Sequence, residues 1–282
     1  MRIRVGCCGF PERRALYYRE FSVVEVQQTF YQLPRPATAG RWRQEAPPGF
    51  LFAMKVWQLI THDSSSPTYR RLREPLAGPP GAYGFFRPTP EVRSAWLRTL
   101  EVARHLGAYL LLFQCPARFT PTPEHIDHLR AFFHAVEGER DELFFLWEPR
   151  GRWTPELVGA LSAELGLIPV YDPLAPGAPD RSPGLPGPPG GTGRPTAGGA
   201  RTGVPRLTYF RLHGIGGYRY RYTDKDLERL RERCRQELER GAEQVFVLFN
   251  NVSMLEDARR FLNTTHSPPP ENPSLNFPFT NS

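Results

Sequence analysis

Seven apolar, strand-length runs of this 282-residue chain end in side chains that can donate, accept or transfer a proton. "SVVEVQQ" ends with Glu25 and Gln27, and "FLFAMKV" carries Lys55, with His62 seven residues on. "AYLLLFQ" ends in Gln114, "LFFLWE" in Glu148 with Arg150 next but one, and "LIPVYD" in Asp172. "LTYFRLHG" supplies Arg211 and His213, and "QVFVLFN" leads into Asn250 and Asn251. Carboxylates, an amine and imidazoles gathered at one place are the groups of acid–base chemistry. Glu25, Glu148 and Asp172 are the candidate proton-transfer carboxylates.

Lys55 stands out on composition. Of the 36 basic residues only Lys55 and Lys225 are lysine. An ammonium loses its proton when buried, whereas a guanidinium effectively does not. Lys55 therefore reads as a general acid/base, a Schiff-base nucleophile or a phosphate clamp. The structural alternative is an ion pair with Glu25. Arg211 and His213 share strand parity, so both can face one side. With Gly214, Gly216 and Gly217 behind them, they read as an anion site in which Arg211 is the fork and the glycines the cradle. The competing role for Arg211 is to pair with Glu148 or Asp172.

No H-E-x-x-H spacing supports a metal centre, so none is assigned to His62, His213 and the carboxylates. The cofactor is left open. Tyr31, Trp153, Tyr218 and Tyr222, with Phe30, Trp147 and Tyr220, fall near the same strand ends. They suit either ring stacking on a ligand or barrel packing. His125, His128 and His134 read as exposed helix residues. Cys7, Cys8, Cys115 and Cys234 lack C-x-x-C spacing and read as small buried apolar groups.

These groups need a frame. Eight apolar runs, the seven above and "IRVGC", are separated mostly by helical segments, which argues for parallel β/α units. "TPE" occurs at Thr89, Thr122 and Thr154, where threonine caps a helix, proline fits its first position and glutamate its dipole. Other helices fit 39–46, 223–240 and 255–262. The expected fold is a closed (β/α)8 barrel over 1–262, with a doubly wound sheet as the other arrangement. Residues 57–88 form a long third βα loop, read as a lid. Between 173 and 205, nine prolines and nine glycines in 33 residues cannot build a helix, so a regular sixth helix is not expected and a flexible insertion replaces it. The tail 263–282 reads as loosely ordered.

The net charge of +7 suits an anionic partner, either a small molecule or a nucleic acid, although the basic residues form no single tract. No run approaches a membrane span or a signal peptide, so the expected location is cytoplasmic, with no membrane partner. Oligomeric state is not readable.

The motifs "VEVQQTFYQLP", "FLFAMKVWQLITH", "WEPRGRW", "YFRLHG" with the 218–222 tyrosines, and "LFNN" resemble the YecE-like barrel family, domain of unknown function 72. That resemblance spans nearly the whole chain and implies a TIM-type barrel related to the xylose isomerase and endonuclease IV group, with no established activity. It also implies asparagine where this chain has Gln27. Together these features point to an enzyme acting on a phosphorylated or nucleotide-like substrate at the barrel mouth, by hydrolysis or by isomerase or lyase chemistry. Arg211, Arg150 and the Gly214 loop would hold the anion, and Glu148, Glu25 and Lys55 would move protons. A non-catalytic nucleic-acid binder and a Schiff-base lyase using Lys55 are the alternatives.

Overall fold

The computed structural model describes residues 2–140, 142–179 and 206–265. Eight parallel strands close into a barrel in chain order. They are β1 (Ile3–Cys8), β2 (Val23–Val26), β3 (Leu51–Lys55), β4 (Ala108–Gln114), β5 (Phe144–Glu148), β6 (Ile168–Tyr171), β7 (Leu207–Leu212) and β8 (Gln244–Phe249). Around them lie α1 (Arg14–Glu20), the single turn α2 (Gln28–Tyr31), α3 (Pro36–Glu45), the single turn α4 (Gln58–Thr61), α5 (Pro90–Leu106), α6 (Pro123–Ala135), α7 (Pro155–Leu165), α8 (Asp224–Glu239) and α9 (Met254–Thr265).

Strand periodicity divides the apolar residues into two packed sets. Cys8, Val23, Ala53, Leu112, Leu146, Val170, Tyr209 and Leu248 fill the barrel interior. Their neighbours Cys7, Val24, Met54, Phe113, Phe145, Phe210 and Phe249 pack outward under the helices. The alternation slips once. A register shift opposite Phe52 and Ala53 puts both Tyr109 and Leu110 in the interior set, as a β-bulge does. The parity that turns these apolar residues inward carries Glu25, Lys55, Gln114, Glu148, Arg211 and His213 to the interior at the C-terminal ends of their strands.

The three threonines behave as their sequence context predicts. Thr89, Thr122 and Thr154 accept hydrogen bonds from the N–H groups of Val92, His125 and Leu157, each ahead of a proline. Helix α8 opens with a reciprocal capping box between Thr223 and Asp226. By contrast α1 has no side-chain cap, so nothing local announced it; it is held by buried Tyr17, whose hydroxyl donates to Val23 O. No helix follows β6 among residues 172–179. Residues 180–205, which hold most of the expected flexible insertion, and 266–282 of the expected tail lie outside the described residues.

The third βα loop is pinned down for much of its length. Tyr83, Phe85 and Phe86 are buried, and Gly84 and Phe86 donate to Leu59 O and Ile60 O. Gly84, Phe85 and Phe86 are all left-handed, at φ 77°, 52° and 55°. For each phenylalanine that conformation costs about 1–2 kcal/mol, and burial of the ring contributes about as much in the other direction. The lid reading therefore does not suit its C-terminal half. His125 and His128 also differ from expectation. His125 packs on Phe85 and Phe119, and His128 is only 18% exposed at its side chain, because α6 turns that face toward the same aromatic cluster. All four cysteines are buried and unbridged.

Candidate functional site

The C-terminal end of the barrel holds a connected polar network in two tiers. Arg211 is the lower centre and is 1% exposed. Its Nε donates to Glu25 Oε2 at 3.1 Å and its Nη2 to Glu25 Oε1 at 2.9 Å. Its Nη1 donates to Glu148 Oε2, and Nη2 also lies 3.7 Å from Cys8 Sγ. Tyr209 adds a hydroxyl to Glu25 Oε2 at 2.8 Å, and Gln27 donates to Glu25 Oε1. A guanidinium committed to two buried carboxylates has no fork left for a ligand. The anion role expected for Arg211 thus gives way to its structural alternative, with Glu25 and Glu148 as partners and not Asp172. Tyr209, two residues before Arg211 on β7, and Cys8, at the end of β1, belong to this tier; in the sequence Tyr209 is an ordinary interior residue and Cys8 reads only as a small buried apolar group.

The upper tier is built on Glu148, 5% exposed. Its Oε1 accepts from Gln114 Nε2 at 3.0 Å, Arg150 Nε at 3.0 Å and His213 Nε2 at 3.1 Å. Burial alone would raise this carboxyl's pKa, but Arg211, His213 and Arg150 together hold it well below the usual range. His213 Nδ1 lies 3.1 Å from Asn250 Nδ2, and Nε2 faces both Glu148 Oε1 and Arg150 Nη2, the latter at 3.4 Å; the tautomer with its proton on Nε2 satisfies the carboxylate and the amide together. The backbone N–H groups of His213 and Leu174 both donate to Asp172, at 2.7 and 2.9 Å. Burial nevertheless raises the Asp172 pKa.

Lys55 differs from every other buried cation of the site. It is 7% exposed; Nζ donates to Gln114 Oε1 at 2.5 Å and sits 3.6 Å from the centre of the Phe30 ring. Neither Glu25 nor Glu148, the carboxylates of the network, takes an ion pair from it; both pair with Arg211. The structural alternative, a Lys55–Glu25 ion pair, is therefore not formed. Burial, and then Arg211, bring the Lys55 pKa down from 10.5 to about 7 despite Glu148 and Glu25. His62 is buried behind it, edge-on to Phe30, with Nδ1 2.8 Å from Thr61 Oγ1. Burial and Lys55 lower the His62 pKa to about 3, so it is neutral.

The remaining candidates separate by exposure. The N–H of Gly214 donates to Tyr222 Oη at 2.7 Å and that of Gly217 to Gly214 O at 3.0 Å, so these donors close the loop on itself and do not form an open cradle. A Cβ on Gly214 would stand 2.2 Å from Gly217 O, which explains the glycine. Gly216 and Gly217 are exposed with positive φ and open space around them. Tyr222 and Asn251 are buried and structural: Asn251 Nδ2 donates to Tyr220 O and Asp257, both at 2.7 Å. Trp153 donates to Phe119 O at 2.6 Å and meets Trp147 edge-on, which is packing. Tyr218 is 58% exposed, and Tyr31 lies under the Arg71 guanidinium at 3.5 Å.

Around this network the rim is basic. Among the described residues, the connections leaving the strands hold eleven arginines and four acidic residues, while those entering the strands hold three arginines and four glutamates. Two of the four acids, Glu12 and Glu74, are taken up by Arg259 and Arg98 from helices. Arg150 reaches from the rim into the network with its side chain 44% exposed. A separate cavity of about 460 Å3 is lined by residues 173–179, Ile215, Arg229 and Arg233, and none of Glu25, Lys55, Glu148 or Arg211 lines it. No group of three or more His, Cys, Asp or Glu that could hold a metal ion occurs among the described residues, and no described helix is long and apolar enough to cross a membrane.

Solved structures with the same architecture include a DUF72 family protein from Enterococcus faecalis V583, 22% identical, with a TM-score of 0.65 over 93% of this chain and 96% of that one. A DUF72 family protein from Thermotoga maritima MSB8 is 16% identical, with a TM-score of 0.61 over 94% and 99%. A xylose isomerase domain containing protein from Salmonella typhimurium LT2 is 13% identical, with a TM-score of 0.50 over 89% and 88%. At such identities the likeness shows the fold alone. No curated protein matches the chain. The family model described as "Protein of unknown function DUF72" matches residues 9–274, which take in the strand ends that carry both tiers of the network, and the chain belongs to that family.

Proposed function

We propose that the protein is an enzyme that transfers protons at the barrel mouth on a phosphorylated or nucleotide-like substrate. The observation that carries this is Lys55, a buried amine that faces an amide and a ring where a structural lysine would face a carboxylate. A buried cation left without a counter-ion is costly to the fold, and such groups cluster at functional sites. With its pKa near 7 the amine can give or take a proton at neutral pH. His213, 28% exposed at its side chain and backed by Glu148 and Asn250, is the second transfer group. Glu148 is itself too firmly held as an anion to act as the acid and serves to orient His213. Arg150, half-exposed beside both, is the first anchor for a phosphoryl group. Hydrolysis and isomerase or lyase chemistry share these requirements, including a lyase that forms an imine on Lys55.

The test pairs binding with turnover. A panel of sugar phosphates and nucleotides should raise thermal stability by linkage, about 2.7 kcal/mol at a hundred times Kd. Arg150→Ala should remove that rise while leaving the unliganded melting temperature within a few degrees. A rise that survives in Arg150→Ala would put the anion elsewhere, and turnover that survives in Lys55→Met would remove Lys55 from the chemistry. The arginine-rich rim with Tyr31 and Tyr218 favours one second reading, a non-catalytic nucleic-acid binder. Steeply salt-dependent binding of DNA or RNA without turnover would select it.

A further inference from the structure

We propose that Gln114 is a positioning residue: its amide stands between Lys55 and the Glu148 carboxylate and keeps the lysine amine out of an ion pair. The inference rests on the reading of Lys55 as a proton-transfer group. Three adjacent strands place the residues in a row. Lys55 pairs in register with Leu112 on β4, Gln114 lies two residues further on, and Gln114 pairs with Glu148 on β5. The carboxamide accepts from Lys55 Nζ at 2.5 Å and donates to Glu148 Oε1 at 3.0 Å. Turning the amide over would set its NH2 against the ammonium and its oxygen against the carboxylate, so the orientation is fixed from both sides.

The residue type matters as much as the place. A carboxylate at 114 would hold Lys55 as an ammonium. An apolar side chain would leave Lys55 Nζ without its hydrogen-bond acceptor and remove one of the several donors to Glu148. An amide presents an acceptor to one neighbour and a donor to the other with no net charge. The other charged groups that act on Lys55 are already arranged: Glu25 on β2 and Glu148 on β5 are engaged by Arg211 on β7, and Arg150 reaches over Glu148 from the following loop. His62 from the third βα loop is neutral. Gln114 is thus the contact that decides whether a counter-ion meets the amine.

The test reads the amine directly and needs no substrate. Trace labelling with acetic anhydride across a pH series, followed by peptide mass spectrometry, gives the titration of Lys55, and exposed Lys225 is the internal reference because the chain has no third lysine. Two variants are measured on the full chain. Gln114→Glu adds a carboxylate beside the amine. The double exchange Gln114→Glu with Glu148→Gln swaps amide and carboxylate at unchanged net charge, which guards against misfolding from a third buried carboxylate. In both, the Lys55 titration should move up by at least about one pH unit, a roughly tenfold loss of reactivity near neutrality. A depressed Lys55 that titrates alike in wild type and both variants overturns the role of Gln114 alone. A wild-type Lys55 that titrates like a free lysine overturns the reading of Lys55 as well.

Discussion

Replacing Lys55 by methionine should make the folded protein more stable, in a way that depends on pH. The folded-state pKa of about 7 lies below the ordinary 10.5. Below the lower value both folded and unfolded chains carry the ammonium, and the fold bears the full cost of burying it. Between the two values the folded chain sheds the proton, and the cost declines to zero as pH reaches the unfolded value. At about 1.4 kcal/mol per unit the shift corresponds to at most about 5 kcal/mol. Methionine fills similar volume against Phe30 but leaves Gln114 Oε1 without a donor, which takes back about 1–3 kcal/mol. The net expectation is a gain of about 2–4 kcal/mol near pH 6, fading to none or a small loss near pH 10. Urea denaturation of both proteins at several pH values measures it. A variant that is less stable than wild type near pH 6, or a difference that is flat with pH, would show that Lys55 is paired after all and refute the case for a functional amine.

Arg211→Met should cost about 3–5 kcal/mol near neutral pH, because it leaves Glu25 buried without a cation and Glu148 with Arg150 alone. The Glu148 pKa is depressed, so its stabilising share is present above the unfolded value and lost as pH falls; urea melts should therefore show a smaller penalty near pH 4 than near pH 7. Gly214→Ala should lower stability by about 2 kcal/mol or more, since φ is +89° and the new Cβ meets Gly217 O. Gly216→Ala, strained at φ +86° but in open space, should cost about 1 kcal/mol and leave phosphate binding unchanged, as isothermal titration would report.

The barrel was legible because its signals are local. Eight apolar runs, three threonine–proline helix starts and two-residue alternation each act within a few residues, and closure follows from their number. Strand ends also gathered Glu25, Lys55 and Glu148 at one end of the barrel, and period-two parity placed Arg211 and His213 on one face. What parity cannot supply is partner choice. The sequence offers Arg211 carboxylates on β2 and β5 and just after β6, and only the three-dimensional arrangement decides that it takes the first two. Likewise Asn250 and Asn251 are neighbours in sequence, yet one reaches His213 and the other turns away to Tyr220 and Asp257. The glycines were misleading for a different reason: positive φ signals a turn as readily as a ligand cradle, and the hydrogen bonds of Gly214 and Gly217 decide for the turn.

Charge balance links the structural tier to the chemical one. Of the three buried carboxylates at this end of the barrel, Glu25 and Glu148 are matched by Arg211 and Arg150, and Asp172 is held by the backbone N–H groups of His213 and Leu174. The network therefore closes electrically without Lys55. Were the lysine needed as a counter-ion, loss of its proton would strand a buried carboxylate, and the charged form would be favoured. Because two arginines already meet that need, and arginine does not give up its proton, the proton on Lys55 is the one the site can release without stranding a carboxylate. Under the proposed role the arginines can do the fixed electrostatic work, and a position that changes its charge cannot be arginine.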